Sequence, residues 1–161
     1  MPSPFQSPLA TAEGEAPPTL EELRDAPKKV HYLKGIYERM HRYIEAYPVE
    51  MNAGTLGLLD GITFAFLSMD AGEEKRAVVA KFEALGVPFI DVGMGVELVG
   101  QQLLATLRVT ASTAARPPGF DPRKVMDCAP PSPNALYGSN IQIVDLNALN
   151  AALAVLRWKK M

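Results

Sequence analysis

Two apolar runs that flank a helical pattern constrain the fold of this chain more than any other feature. Residues 62–69 (ITFAFLSM) form a nearly unbroken apolar run that ends at an aspartate. Residues 72–85 have the apolar spacing of a helix, with Gly86 as its C-terminal cap, and residues 87–92 (VPFIDV) are the second run. This order predicts a β-α-β unit with parallel strands and a right-handed crossover. The apolar residues expected on the inner face of the helix are Val78, Phe82 and Leu85.

Upstream of this unit the sequence predicts one long helix. Residues 28–47 carry an apolar stripe at three- and four-residue steps, and Pro48 ends it. We expect a connection over residues 49–61, with a short strand near 49–51. Residues 1–26 are rich in Pro, Ser, Ala and Glu, which predicts a flexible segment with one capped turn near its end.

Downstream of the unit the sequence predicts a strand, a long loop and a final helix. Residues 102–112 have the composition of a strand, and proline-rich residues 113–136 are typical of a loop. Ser139 and Gln142 form a capping box at the start of the final helix. This helix is apolar around most of its circumference, so we expect it to be buried against the sheet or a partner.

Composition places the chain among globular proteins and excludes several functional classes. Its 161 residues, 48% hydrophobic and 21% charged, predict one α/β domain over residues 27–161. A net charge of −2 gives no general attraction to nucleic acid or an anionic membrane. A secretory signal and a membrane-spanning run are both absent from the sequence. A single cysteine, Cys128, excludes an internal disulfide, and a cytoplasmic location is expected.

A G-x-G pair follows the second apolar run and is similar to the start of a phosphate-binding loop. A dinucleotide-binding fingerprint requires a third glycine at position 98, where Leu98 stands, and the next glycine is Gly100. We therefore interpret Gly93 and Gly95 as a strand-to-loop turn. Asp91, at the end of the predicted strand, is interpreted as a hydrogen-bonded loop anchor.

Asp70 and Lys29 are the candidate binding residues. Asp70 follows a predicted parallel strand, at the edge where ligands bind in open α/β sheets, and a carboxylate there can hold Mg²⁺ bound to nucleotide phosphates. The same aspartate can instead form a helix cap together with Glu73. Lys29 begins the first helix, where it can either contact a phosphate or remain solvated.

Three further residues are weaker candidates for a metal or catalytic site. His31 and His41 lie ten positions apart in one predicted helix and would face different directions, which disfavours a shared metal. Cys128 has no basic neighbour in sequence that would lower its pKa, so we interpret it as an inert thiol and not as an exposed nucleophile.

Four segments, taken in order, resemble the ThiF/MoeB/HesA family, the bacterial relatives of ubiquitin-activating enzymes. They are PKKVHYL, FAFLSMD, VPFIDVGMGV and SNIQIVDLNALNAALAVLRWKK, within residues 27–160. The resemblance implies a three-layer Rossmann-like α/β fold with a partial sheet, and ATP and Mg²⁺ as ligands. It implies adenylation of the C-terminal glycine carboxylate of a ubiquitin-like or sulfur-carrier protein. Asp70 matches the family's magnesium aspartate, and Lys29 matches its phosphate-contacting lysine.

The chain also departs from the family's pattern. The family's glycine-rich loop lies upstream of these motifs, and the sequence has no such segment; Gln6 stands where the family has an arginine. The chain has no C-x-x-C pair, so no zinc is expected. One hypothesis is an enzyme completed by a complementing N-terminal half or by a homodimer partner. The alternative is a non-catalytic dimerisation or interaction module, or an inactive remnant of such an enzyme.

Overall fold

The chain divides after Glu50 into two units, Met1–Glu50 and Met51–Met161. A computed structural model describes residues 24, 27–113, 121, 126 and 144–161 of the chain. The predicted segment 1–26 lies outside the described residues except for Arg24. Several other predicted features lie outside them as well: Gln6, Cys128, the Ser139–Gln142 capping box, and the loop 113–136 apart from Thr113, Asp121 and Met126.

The first unit contains helix α1, Lys29–Tyr37, so the prediction of a helix reaching residue 47 is wrong. None of the residues in α1 is buried, so its apolar stripe gains no packing energy that would extend so short a helix. Beyond the helix, Tyr43 has a left-handed backbone with φ of 69°, which a right-handed helix excludes. The Lys28 ammonium donates a hydrogen bond to the Pro48 carbonyl at 2.9 Å, closing this segment back on the start of α1.

The second unit begins with a turn and a 3-10 helix, Leu56–Leu59. Residues 49–51, which are described, do not form the predicted strand. The Asn52 amide donates to Thr55 Oγ1 at 2.8 Å, and the Gly54 amide donates to Asn52 Oδ1 at 2.9 Å. Such local bonds from the backbone to short polar side chains favour a turn over an extended strand.

Three strands form a mixed sheet in the order β1-β2-β3. They are β1 (Ala65–Leu67), β2 (Phe89–Val99) and β3 (Gln102–Ser112). Strand β1 is parallel to β2, as predicted, while β2 and β3 form an antiparallel hairpin. The predicted bounds of β3 are confirmed. Strand β1 is shorter than predicted, and Phe66 is 49% exposed, so β1 is not buried on both faces.

The two glycines of the G-x-G pair lie inside β2, and the prediction of a strand-to-loop turn there is wrong. Gly93 pairs with Arg108 and Gly95 pairs with Thr106. The antiparallel partner β3 extends β2 well past the end of its apolar run. The chain turns only at Gly100, whose φ of 66° is left-handed and suits glycine.

Helix α2 (Glu73–Leu85) and helix α3 (Val144–Trp158, as far as it is described) cover opposite faces of the sheet. Alternate side chains of a strand point to opposite faces. Phe89 on one face contacts Phe82 of α2, with ring centroids 5.4 Å apart. Leu107 and Val109 on the other face line a shallow groove beside α3. The second unit is therefore a helix–sheet–helix arrangement of mixed α/β content.

The hydrophobic core lies between α2 and the sheet. Its buried members are Leu67, Val78, Val79, Phe82, Phe89 and Met126. The predicted burial of Val78 and Phe82 and the left-handed Gly86 cap are confirmed. Leu85 is 44% exposed, so its predicted burial is wrong, because it lies in the last turn, directly before Gly86 turns the chain toward β2.

Helix α3 is only partly buried against the sheet, and its expected burial against a partner stays a prediction. Asn150 and Ala154 are buried on the side that packs against β2 and β3. Trp158 lies over the end of β1, with its ring 6.3 Å from that of Phe66. Much of the remaining apolar surface is exposed: Leu149, Leu153, Val155 and Leu156. In the described part of the chain, no helix is long and apolar enough to cross a membrane.

Candidate functional site

Asp70 lies in the connection between β1 and α2, at the carboxyl end of a strand that runs parallel to its neighbour. The residue is exposed, and among the described residues its carboxylate has no ion pair or hydrogen-bond partner. Helix α2 has Gly72 as its N-cap, without a side-chain cap bond. The interpretation of Asp70 as a helix cap is therefore wrong, and its carboxylate faces solvent at the sheet edge.

The surroundings of Asp70 limit what it can bind. The first turn of α2 carries Glu73 and Glu74, whose charges oppose direct binding of an anion at this helix end. The same two carboxylates would attract a cation beside Asp70. The described residues contain no group of three or more His, Cys, Asp or Glu side chains suited to hold a metal. Mg²⁺ commonly uses one or two carboxylates, with waters and substrate phosphates as its other ligands, and Asp70 fits that role.

Lys29 is exposed and is the first residue of α1, as predicted. Its neighbour Lys28, and not Lys29, makes the bond to the Pro48 carbonyl. Lys29 belongs to the first unit and Asp70 to the second, so neither unit by itself contains both candidate residues. The phosphate-contacting role of Lys29 stays a prediction.

The two histidines do not share a helix, because α1 ends before His41. His31 lies in α1, and both histidines are exposed. Neither belongs to a group of potential metal ligands within the described ranges.

Three charged side chains form a cluster inside the second unit that sequence analysis did not find. Lys75 comes from α2, Asp91 from β2 and Arg108 from β3. The Lys75 ammonium lies 2.7 Å from Asp91 Oδ1, and Arg108 Nη2 donates to Asp91 Oδ2 at 3.2 Å. The side chains of Lys75 and Asp91 are 1% and 0% exposed, and that of Arg108 is 28% exposed. Buried charges are tolerated only when paired, so this cluster fixes all three elements relative to one another.

Glycine at position 93 makes the Arg108–Asp91 contact possible. Gly93 and Asp91 share one face of β2, and Arg108 stands directly opposite Gly93 on β3. A Cβ atom at position 93 would lie 2.5 Å from Arg108 Nη2, whereas one at Gly95 would meet open space. The guanidinium therefore lies over Gly93 to reach Asp91. Asp91 is a buried partner in the middle of a strand, and its interpretation as a loop anchor is wrong.

Two further bonds extend from this cluster and from Gly93. The Lys75 ammonium also donates to the Met69 carbonyl at 3.4 Å, which is a long and therefore weak hydrogen bond. Met69 directly precedes Asp70. Asn150 Nδ2, from α3, donates to the Gly93 carbonyl at 3.0 Å. The cluster thus connects the centre of the sheet to the connection that carries Asp70, while Asn150 ties α3 to the same strand.

The sequence did contain a signal for the cluster. Lys75 lies on the helical face shared by Val78, Val79 and Phe82, three, four and seven residues later. Asp91 interrupts an apolar strand. Two opposite charges at positions that the patterns predict to be buried indicate an internal ion pair, because an isolated buried charge is too costly.

No protein-family model matches this chain, and no curated protein or solved structure does so either. The resemblance to the ThiF/MoeB/HesA family therefore remains an interpretation of the sequence motifs. The geometry of Asp70 and of the buried cluster stands independently of that interpretation.

The two glycines of β2 allow a matched test of the cluster geometry. We expect Gly93→Ala to destabilise the fold by about 1–3 kcal/mol, because the added methyl displaces Arg108 from Asp91. Gly95→Ala should be neutral or stabilising by up to about 1 kcal/mol. The added Cβ meets no other atom, and alanine lowers the conformational entropy of the unfolded chain. Urea unfolding of both variants measures the difference. Equal stability of the two variants would contradict the packing of Arg108 over Gly93.

Proposed function

We propose that this chain contributes the magnesium-binding part of an enzyme that uses ATP to adenylate the C-terminal carboxylate of a ubiquitin-like or sulfur-carrier protein. The observation that carries the proposal is the exposed carboxylate of Asp70 at the carboxyl end of β1, in a parallel β-α-β unit. Open α/β sheets bind ligands at that edge. The resemblance to the ThiF/MoeB/HesA family supplies the reaction, and a Rossmann-like sheet of that type belongs to the same proposal.

Adenylation joins the carrier carboxylate to the α-phosphate of ATP and releases pyrophosphate. In this proposal Asp70 supplies one oxygen ligand to Mg²⁺, which when bound neutralises charge on the phosphate oxygens. Lys29 contacts the phosphates as a point charge. In the adenylation step the protein's contribution is positioning of the two substrates and neutralisation of charge.

The proposal also needs backbone amides that cradle the phosphates. The G-x-G pair of β2 does not fill this role, because both glycines lie within the β2–β3 ladder. A glycine-rich loop at a helix N-terminus is the usual solution. We propose that a complementing N-terminal half provides it.

Calorimetric titration with Mg²⁺–ATP tests the assignment of Asp70. Asp70→Asn should weaken binding by about 10-fold or more, because it removes a charged ligand. Lys29→Gln should weaken binding through the loss of its positive charge. Glu97 is an exposed carboxylate on β2 and does not belong to the connection that carries Asp70. Glu97→Gln is therefore the matched control, and this substitution should leave binding unchanged. Equal affinity of the wild type and Asp70→Asn would exclude Asp70 as a ligand.

Exchange of labelled pyrophosphate into ATP tests the reaction. We expect exchange only when a carrier protein with a C-terminal glycine is present together with the complementing half. If the chain binds Mg²⁺–ATP but shows no exchange when the carrier protein and the complementing half are both supplied, adenylation is rejected and the nucleotide site is retained.

A row of leucines on α3 favours the alternative function, a dimerisation module. Leu146, Leu149, Leu153 and Leu156 recur at steps of three and four residues, the spacing of a helix–helix seam. The last three are 50%, 40% and 54% exposed. Leu153 and Leu156 also line the groove beside Leu107 and Val109 of β3. This exposed row would be buried if a second copy packed along it.

The charges of α3 suit an antiparallel pair of such helices. Asp145 lies in the first turn, and Arg157 and Lys160 lie at the opposite end. A twofold axis across the leucine row would place Asp145 of each copy near the basic end of the other.

Sedimentation velocity tests this dimer. The wild type should sediment as a dimer, and Leu153→Glu as a monomer, because it places a charge in the apolar seam. Ala148→Glu is the control, since this exposed position lies on another face of α3 and should leave the dimer intact. A wild type that stays monomeric at high concentration would contradict the dimer. Equal effects of Leu153→Glu and Ala148→Glu on the dimer would also contradict it.

A further inference from the structure

The buried lysine of α2 does more than neutralise Asp91. The Asp91 carboxylate carries one negative charge and has two cationic partners, Lys75 and Arg108. Arg108 alone would balance the charge, and removing a second cation from water carries a large cost. Neutralisation of Asp91 therefore does not explain why a lysine, and not an apolar residue, is 1% exposed at this position.

The second contact of the Lys75 ammonium supplies the explanation. An ammonium has three donors and can join acceptors on different elements. Lys75 joins Asp91 Oδ1 of β2 at 2.7 Å to the Met69 carbonyl at 3.4 Å. Met69 follows β1 and immediately precedes Asp70. Arg108 contacts Asp91 from β3, on the opposite oxygen, and makes no such bond to the connection in the described structure.

We propose that Lys75 is a positioning residue for Asp70. Its ammonium, fixed by Asp91, holds the Met69 peptide against the sheet. The connection between β1 and α2 is thereby restrained, and the Asp70 carboxylate is presented in one orientation at the sheet edge. What Asp70 binds rests on the proposed function, but the restraint of the connection is measurable without any nucleotide.

Lys75→Met and Arg108→Met form a matched pair for the test. Each removes one cation and leaves Asp91 with one cationic partner, so neither creates an unpaired buried charge. Methionine is unbranched and fills the space of a long side chain. Only Lys75→Met loses the contact with the Met69 carbonyl. Circular dichroism and urea unfolding establish that both variants fold, and Lys75→Gln replaces Lys75→Met if the latter does not.

The first readout is backbone mobility of Asp70 and Ala71, from ¹⁵N relaxation of the chain without nucleotide. We expect order parameters near ~0.85 in the wild type and in Arg108→Met, and lower values in Lys75→Met. The second readout is calorimetric affinity for Mg²⁺–ATP. Loss of a residue that orients a metal ligand typically costs about 10- to 100-fold in affinity, and we expect that loss in Lys75→Met alone.

The two readouts separate this inference from the proposed function. If mobility rises in Lys75→Met alone while the wild type does not bind Mg²⁺–ATP even with the complementing half present, positioning by Lys75 is supported and the nucleotide role of Asp70 is rejected. Mobility that is the same in both variants overturns the positioning role. It is also overturned if nucleotide affinity falls equally in Lys75→Met and Arg108→Met.

Discussion

The carboxylate of Asp91 is the constraint on which the rest of the second unit depends. It is fully buried in the central strand, where an unpaired charge would cost several kcal/mol. Its two oxygens are contacted by Lys75 of α2 and Arg108 of β3, so one residue fixes the placement of a helix and the register of a hairpin. The same requirement explains Gly93, because any Cβ there would occupy the space of the guanidinium.

The buried cluster also connects the fold to its candidate site. Asp70 is exposed and unpaired within the described part of the chain, yet the peptide before it is held by a lysine that is almost fully buried. A solvent-facing carboxylate whose backbone is already held in place suits ligand binding, because less conformational entropy is lost when the ligand binds. The exposed leucines of α3 lie on the opposite face of the sheet, so dimerisation and binding at Asp70 would use different surfaces.

The sequence predicted the β-α-β unit, α2 and β3 because each has a clear apolar period and a strong end signal such as Gly86. The sequence-based predictions were wrong where the local structure depends on contacts with residues far away in the chain. The apolar stripe of residues 28–47 suggested a long helix, but it lacks the burial that would extend α1. The glycines of β2 suggested a turn, because sequence does not reveal that β3 pairs with them. Asp70 was proposed as a ligand from its position after a strand, whereas the role of Asp91 became visible only from the contacts of three separate elements.

A crystal structure of the chain with Mn²⁺ and a non-hydrolysable ATP analogue tests the central claim most directly. The account predicts an anomalous manganese peak beside the Asp70 carboxylate, with the Lys75 ammonium in contact with both Asp91 and the Met69 carbonyl. A nucleotide bound elsewhere, or a Lys75 side chain directed away from Met69 while Asp70 keeps its place, would contradict it.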